Sequence, residues 1–453
     1  MKNNESYRQR LHSRIPGGAH TYSRGDDQFP ENAPAILESG TGAWVTDPEG
    51  NEFLDYGMGL RSVTLGYAHP EVNAAVIKEI NKGNNLSRAT STELQAAESL
   101  LDLFPWADMV KFGKSGSAVT TAAVKLARAF TGRTHVAICA DHPFFSFDDW
   151  FIQTTPMNKG TSDAGRNTSL NFHYNDPQSL NLLFEKFPNK IACVILEPAT
   201  FVSPCPSCKD LNVKPDCKNC ASAGNNFLHQ VKKICHTHGA LFILDEMITG
   251  FRWDIHGAMK LYDIAPDLAT FGKGMANGFP LAALIGKKEI MEMGSILQEG
   301  QERVFLISTT HGSEMSAMGA FLKVLEIYKR DHVPNHLWNY GRALINGINQ
   351  IAHSLQVEAF FRCNGYPCSP IFQTKDAEGS ISLEFRTLFL QEMVKNGVLI
   401  PYIAISLAHG EKELAHTLDA AKKALTVYKE ALGSSVKNYL KGNSIKPVFR
   451  KFN

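Results

Sequence analysis

Lys273 lies in the stretch Pro266-Asp-Leu-Ala-Thr-Phe-Gly272-Lys273-Gly274-Met-Ala-Asn-Gly278, flanked by glycines that let backbone approach something bulky. Upstream, the apolar run Ile191–Leu196 ends in Glu197, and Ala240–Leu244 ends in Asp245-Glu246. In open α/β sheets the carboxyl ends of strands form the ligand crevice. Each acid alone reads equally well as an ordinary strand-end residue. Together with the lysine loop, Asp245 suits pyridoxal phosphate chemistry, which needs an amine for a Schiff base and a carboxylate to keep the ring nitrogen protonated. Lys273, once displaced by a substrate amine, is then a free base beside the reacting carbon, provided nearby positive charge and desolvation lower its pKa.

A phosphate also needs a seat. Gly113-Lys-Ser115-Gly116-Ser117 precedes Val119, Ala122, Ala123, Leu126, Ala127 and Phe130, an apolar stripe at helical spacing. Ser117 is expected to cap that helix, whose free N–H groups can grip a phosphate. A nucleotide-binding Walker loop is excluded, because its first glycine would fall at Asp108. Gly272–Gly278 likewise lacks the spacing of a dinucleotide fingerprint.

The elements that must hold these residues follow from the wider pattern. The short apolar runs His135–Ala140, Ile191–Leu196, Ala240–Leu244 and Leu281–Ile285 read as strands covered on both faces, and helical segments separate them. That order predicts an α/β fold with a mostly parallel central sheet. Ala43–Thr46 and Glu52–Asp55 flank the turn Asp47-Pro-Glu-Gly50 and predict a hairpin. Gly319–Tyr328 reads as helical, as does the face Leu414, Leu418, Ala421, Leu425 and Tyr428. The expected division is an N-terminal segment with the hairpin (1–65), a large α/β domain (66–320), a smaller C-terminal α+β domain (321–433) and a basic, solvated or loosely docked tail (434–453).

The chain has 453 residues, of which 43% are hydrophobic and 20% charged, with 46 Lys+Arg against 45 Asp+Glu. A net charge of +1 gives no field to steer it onto nucleic acid or an anionic membrane. Neither a spanning apolar run nor the apolar core of a secretory leader is present, so a cytoplasmic location is expected. Nine cysteines are too few for a disulfide scaffold. Four of them cluster as Cys205-x2-Cys208-x8-Cys217-x2-Cys220, a donor set for structural zinc with no open position.

These residues resemble the class III aminotransferases, pyridoxal-phosphate enzymes of fold type I, and among them the glutamate-1-semialdehyde 2,1-aminomutases. The resemblance runs from Pro16-Gly-Gly-Ala-His-Thr-Tyr-Ser-Arg24 through Asp55-Tyr-Gly-Met-Gly59 and Leu65-Gly-Tyr-Ala-His-Pro70 to Ser406-Leu-Ala-His409. It is strongest at Leu244-Asp245-Glu246-Met-Ile-Thr-Gly250-Phe-Arg252 and the lysine stretch. It implies a fold type I architecture whose smaller domain combines the C-terminal part with the N-terminal segment. It also implies that Lys273 carries the cofactor as an internal aldimine and that Asp245 pairs with the ring nitrogen. Ser115, Gly116 and Ser117 would hold the phosphate, with Met247 and Phe144 against the two ring faces and Glu197 beside the ring. Thr310, or Thr309 one residue earlier, would reach the phosphate of a neighbouring subunit, which implies a homodimer with shared sites. Arg24 would grip a substrate carboxylate.

The sequence also departs from that family. Phe144-Phe145-Ser146 stands where Tyr-His-Gly is usual, and Ser313-Glu314 replaces part of a frequent Gly-Asn-Pro. The cysteine cluster occupies an insertion at 201–222. The expected reaction is transfer of an amino group from a small-molecule donor, through pyridoxamine phosphate, to a polar aldehyde or keto acceptor. Intramolecular transfer by an aminomutase is the alternative, and a non-catalytic binding module on the same fold a distant one.

Overall fold

The computed structural model describes residues 2–162, 165, 167–205, 226–312 and 314–453. The chain forms two compact units, Met1–His69 with Asn335–Arg450, and Pro70–Pro334 with Lys451–Asn453.

The second unit is built on a seven-stranded sheet. Its strands are β1 (Met109–Gly113), β2 (His135–Cys139), β3 (Ser169–Phe172), β4 (Ile191–Leu196), β5 (Leu241–Asp245), β6 (Leu268–Phe271) and β7 (Ala282–Gly286). They lie in the order β1-β7-β6-β5-β4-β2-β3. Every residue of β4, β5, β6 and β7 is buried, as continuous apolar runs covered on both faces require. Pairing is parallel from β6 through β5, β4 and β2 to β3, and antiparallel where β7 meets β6 and β1. The exception has a local cause. Parallel neighbours need a crossover of a dozen or more residues, and the chain between Phe271 and Ala282 is a short loop that simply turns back. That loop carries Lys273.

Four helices of this unit matter below: α1 (Pro70–Ile80), α2 (Gly116–Thr131), α3 (Phe227–Thr237) and α4 (Met315–Asp331). The predicted helix at Gly319–Tyr328 is the middle of α4, and α4 falls in the sheet unit instead of opening the smaller one. Gly319 explains the attachment. A Cβ there would stand 2.6 Å from Glu79 Cγ, so only glycine lets α4 lie this close to α1.

The first unit joins both ends of the chain. Trp44–Thr46 and Glu52–Asp55 form the expected hairpin, and Val398–Leu399 adds to it in parallel. Phe361–Tyr366 and Ser369–Thr374 form a second, two-stranded sheet beside the helices Leu383–Lys395 and Glu411–Leu432. The tail, expected to be solvated or loosely docked, is anchored at several points. Val436 and Ile445 are buried, Gln391 Nε2 donates to the Tyr439 carbonyl (2.9 Å), and Ile445 N donates to Thr387 Oγ1 (2.9 Å). Its basic composition concealed these two apolar anchors.

Among the described residues, no helix is long and apolar enough to cross a membrane.

Candidate active site

Asp245 is the last residue of β5 and pairs in register with Thr270 of β6, two residues before Gly272 and three before Lys273. The parallel register therefore sets the carboxylate and the lysine at one edge of the sheet. Gly113, the last residue of β1, pairs with Ala282, and Phe271 pairs with Ala283, so the chain leaves β1 and β6 at that same edge. Glu197 follows β4 there as well.

Asp245 is fully buried, and burial pushes its carboxyl up to about 6. The Lys273 charge and hydrogen bonds from Met247 N (3.0 Å) and Thr270 Oγ1 (2.9 Å) pull the other way. Both bonds end on Oδ1. Among the described residues none reaches Oδ2. The other oxygen of this buried side chain is left open to a donor from outside the protein and suits a protonated ring nitrogen. Lys273 adopts φ +40°, a left-handed conformation unusual for a side-chain-bearing residue, at the start of the turn Lys273–Ala276. Strain of this kind gathers at functional sites.

Met247 ties the two loops together. A Cβ on Gly116 would stand 3.0 Å from its Sδ, and one on Gly272 would stand 2.7 Å away. The glycines of the phosphate loop and of the lysine loop thus both face one thioether. An open Asp245 oxygen, a lysine near it and glycine loops facing Met247 fit pyridoxal phosphate.

The helix cap differs from expectation. Ser115, not Ser117, caps α2, in extended conformation and accepting from Ala118 N at 3.2 Å. Ser117 is buried inside the first turn and accepts from Phe147 N at 3.1 Å. Ser115 stands two residues before the expected cap, and the apolar stripe that locates the helix does not fix which residue opens it. The structure also shows why α2 matters to the aromatic loop that follows β2. Thr120 Oγ1 donates to the Phe145 carbonyl (2.8 Å), Thr121 Oγ1 meets Ser146 Oγ (3.1 Å) and donates to Asp148. Ser146, standing where glycine is usual, is buried and its Oγ accepts from Asp148 N at 3.1 Å. Phe144 projects half-exposed from this loop, edge-on to Phe151 at 5.6 Å.

Glu197 is buried, and its backbone N–H donates to His142 Nδ1 at 3.0 Å. Burial drives the imidazole down to about 3, so it is neutral and accepts at Nδ1. Tyr174 packs on His142 at 5.0 Å and donates to the Pro198 carbonyl at 2.6 Å. Sequence reasoning missed His142, Tyr174 and Thr270. Thr270 shows its role only through strand register, and His142 stands two residues before the aromatic pair.

Thr309 and Thr310 are exposed, with the Thr310 carbonyl accepting from Asn85 Nδ2 at 3.1 Å. Arg24 is exposed at the end of the turn Tyr22–Arg24, in the first unit. Of the four clustered cysteines, Cys205 is buried with a free thiol, while Cys208, Cys217 and Cys220 lie outside the described residues. Among the described residues, no group of His, Cys, Asp and Glu is arranged to hold a metal.

Comparison with known proteins gives a family and a fold. The family profile described as aminotransferase class-III matches residues 26–201 and 220–424. The 3-aminobutyryl-CoA aminotransferase of Cloacimonas acidaminovorans (strain Evry) is 29% identical over 423 residues, 92% of this chain and 95% of that protein. A glutamate-1-semialdehyde 2,1-aminomutase of Alkaliphilus metalliredigens (strain QYMF) is 29% identical over 436 residues, 91% of this chain and 93% of that one. Among solved structures, the internal-aldimine form of the FumI protein of Sphingopyxis sp. MTA144 superposes with a TM-score of 0.83 at 24% identity, covering 96% of this chain and 98% of that one.

Proposed function

The chain belongs to the class III aminotransferase family, as a pyridoxal-phosphate-dependent enzyme using small-molecule amino donors and acceptors, and from that premise we propose intermolecular transfer to a polar aldehyde or keto acceptor. The observation that carries the site assignment is a buried Asp245 that feels the charge of Lys273 and whose Oδ2 accepts no hydrogen bond among the described residues.

When bound, pyridoxal phosphate supplies an electron sink for the pair left behind as a substrate carbon loses its proton. Asp245 holds the ring nitrogen protonated, and Thr270 and Met247 N fix the carboxylate by its other oxygen. Lys273 Nζ would anchor the cofactor, and as a free amine it would be the base that takes and returns the proton. Ser115, Gly116, Ser117 and the free N–H groups opening α2 hold the phosphate. Met247, Phe144 and Glu197 would line the ring's seat, and Arg24 would receive a substrate carboxylate through its forked donors. Aminomutase chemistry is the second reading, favoured by the aminomutase relative.

Glutamate and other amines, added singly to the purified protein, should bleach the visible band of the bound cofactor, and borohydride should trap that cofactor on the Lys273 peptide. Turnover only with separate donor and acceptor supports transamination; isomerisation of one compound without either supports the mutase. A protein that binds no pyridoxal phosphate would return it to the non-catalytic binding modules.

A homodimer is part of this reading. Ile296, Leu297 and Phe305 are 78%, 86% and 69% exposed just upstream of Thr310, apolar surface suited to a second copy. Thr310 would then serve the partner's phosphate, and sedimentation should give twice the chain mass. A cytoplasmic location fits the free thiols of Cys139, Cys193, Cys235, Cys363 and Cys368.

Cys205, Cys208, Cys217 and Cys220 are assigned to one structural zinc. The two profile matches leave 202–219 unmatched, as an insertion would, and its stems meet where Phe227 N donates to the Pro204 carbonyl at 2.8 Å. Four thiolates would complete a zinc site and leave no catalytic position. Metal analysis should find one zinc per chain, lost in a Cys208→Ser variant.

A further inference from the structure

Lys114 and Glu314 have no part in the mechanism above, yet they join the two segments assigned to phosphate. Lys114 directly precedes the capping residue Ser115, and Glu314 is the N-cap of α4, four residues after Thr310. Lys114 Nζ lies 2.9 Å from Glu314 Oε2, with the two side chains only 20% and 15% exposed. Glu314 Oε1 accepts from Ala317 N at 3.1 Å and from Ser316 Oγ. Burial would raise the Glu314 carboxyl, but Ser316 and the Lys114 ammonium outweigh it and hold the group below the usual carboxylate range. The glutamate is thus a charged partner for the lysine.

Its footing is firm. Met315 N donates to the Asn84 carbonyl (2.7 Å) and Ser316 N to Asn84 Oδ1 (3.0 Å), so the start of α4 is fastened to the turn that follows α1. Asn84 adopts φ +46°, a conformation asparagine tolerates better than most side chains. The phosphate loop is more exposed, as Ser115 shows. Among the described residues, Lys114 forms an ion pair with no other acid. An ammonium one residue from a phosphate cradle has two possible tasks: neutralising the phosphate itself, or bracing the loop against a fixed acid. Glu314 at 2.9 Å is its one acidic partner among the described residues, although the buried Nζ makes no well-aligned hydrogen bond there, and this contact favours bracing.

We propose that Lys114 and Glu314 are positioning residues that brace the phosphate loop against the start of α4 and so set the affinity for the phosphate end of the cofactor. This rests on the reading of Ser115–Ser117 as the phosphate seat. It departs from the family pattern in the same place as the sequence does, since Glu314 stands in the segment where Gly-Asn-Pro is frequent.

The test compares pyridoxal phosphate with pyridoxal, which lacks the phosphate, by absorbance titration of the full-length cofactor-free protein. Glu314→Gln and Lys114→Met should each weaken pyridoxal phosphate binding about tenfold, the loss expected of a partly buried charge pair. Pyridoxal binding should stay within about twofold, Lys114→Arg should bind pyridoxal phosphate nearly as wild type does, and cofactor-free Glu314→Gln should still melt cooperatively, only a few degrees below wild type. If Glu314→Gln binds pyridoxal phosphate as tightly as wild type, or more tightly, Lys114 acts on the phosphate directly and the brace is overturned. Equal losses for both compounds would also overturn it, by showing general damage to the site. Wild-type protein that fails to prefer pyridoxal phosphate over pyridoxal would sink the underlying phosphate-seat reading before any variant is made.

Discussion

Asp245 and Glu246 are neighbours in sequence, both fully buried, and burial pushes their carboxyls up to about 6 and about 7. By burial and acidity they look alike. Their surroundings separate them. Glu246 accepts from Ala258 N (2.9 Å) and Thr249 Oγ1 on one oxygen and from Met259 N (2.7 Å) on the other. It closes off the start of the short helix Ala258–Leu261, and Gly257 gives it room, since a Cβ there would stand 2.7 Å from its carboxylate carbon. Asp245 has both of its hydrogen bonds on one oxygen. A carboxylate engaged on both oxygens is structural, and one engaged on a single oxygen beside a lysine is poised for a ligand.

If that distinction is right, the largest loss belongs to the lysine facing Asp245. Lys273→Ala should cut amino-transfer turnover by at least about 10³-fold, since one side chain serves as both anchor and base. Borohydride should then trap no cofactor on that peptide. Asp245→Asn keeps the shape but removes the charge that holds the ring nitrogen protonated, so turnover should fall about 10²- to 10³-fold with cofactor still bound. Comparable activity in Asp245→Asn and wild type would remove Asp245 from the mechanism and erase the contrast with Glu246.

The pH dependence of stability gives a third measure. Asp245 rises from the ordinary 3.8 to about 6 in the folded, cofactor-free protein, so the folded state holds the proton more tightly than the unfolded chain. Its contribution is fully present below pH 3.8 and is lost as pH rises through about 6, roughly 3 kcal/mol in all. Glu246 acts in the same sense, from 4.5 to about 7. Denaturant melts of the cofactor-free protein should show stability falling across this window, and Asp245→Asn should flatten the part below about pH 6. An unchanged slope in that variant would mean that Asp245 is not held as its burial implies.

The strands were legible where they are buried on both faces. Ile191–Leu196 forms over its expected span, and His135, Leu241 and Ala282 begin strands that differ from the apolar runs by only a residue or so. β1 and β3 carry exposed or half-buried residues and polar side chains and gave no comparable run, and β6 is only four residues long. The lysine and its aspartate were readable because their chemistry demands rare residue types in a fixed order along the chain. The choice of Ser115 over Ser117 as cap was not, because it depends on which serine adopts extended backbone. Thr270 and His142 were invisible, and Glu314 showed only as a departure from the family pattern, for a different reason. Each acts through a partner distant in sequence, and only strand register or loop packing brings the two together.

The smallest predicted effect bears on Glu246 itself. Glu246→Gln replaces one acceptor oxygen by an NH2 group, which must face the N–H of Ala258 or Met259, or the hydroxyl of Thr249. Setting donor against donor in a buried place should cost about 2 kcal/mol of stability. Relief of the buried charge offsets part of that at pH 8, where wild-type Glu246 is ionised. Denaturation of the cofactor-free variant should therefore show a smaller loss at pH 8 than at pH 6. Turnover per folded, cofactor-loaded chain should stay within about threefold of wild type, because both oxygens of this carboxylate are already engaged by the protein. Stability unchanged and turnover collapsed would reverse the assignment of the two acids, making Glu246 the ligand-facing carboxylate and Asp245 the structural one.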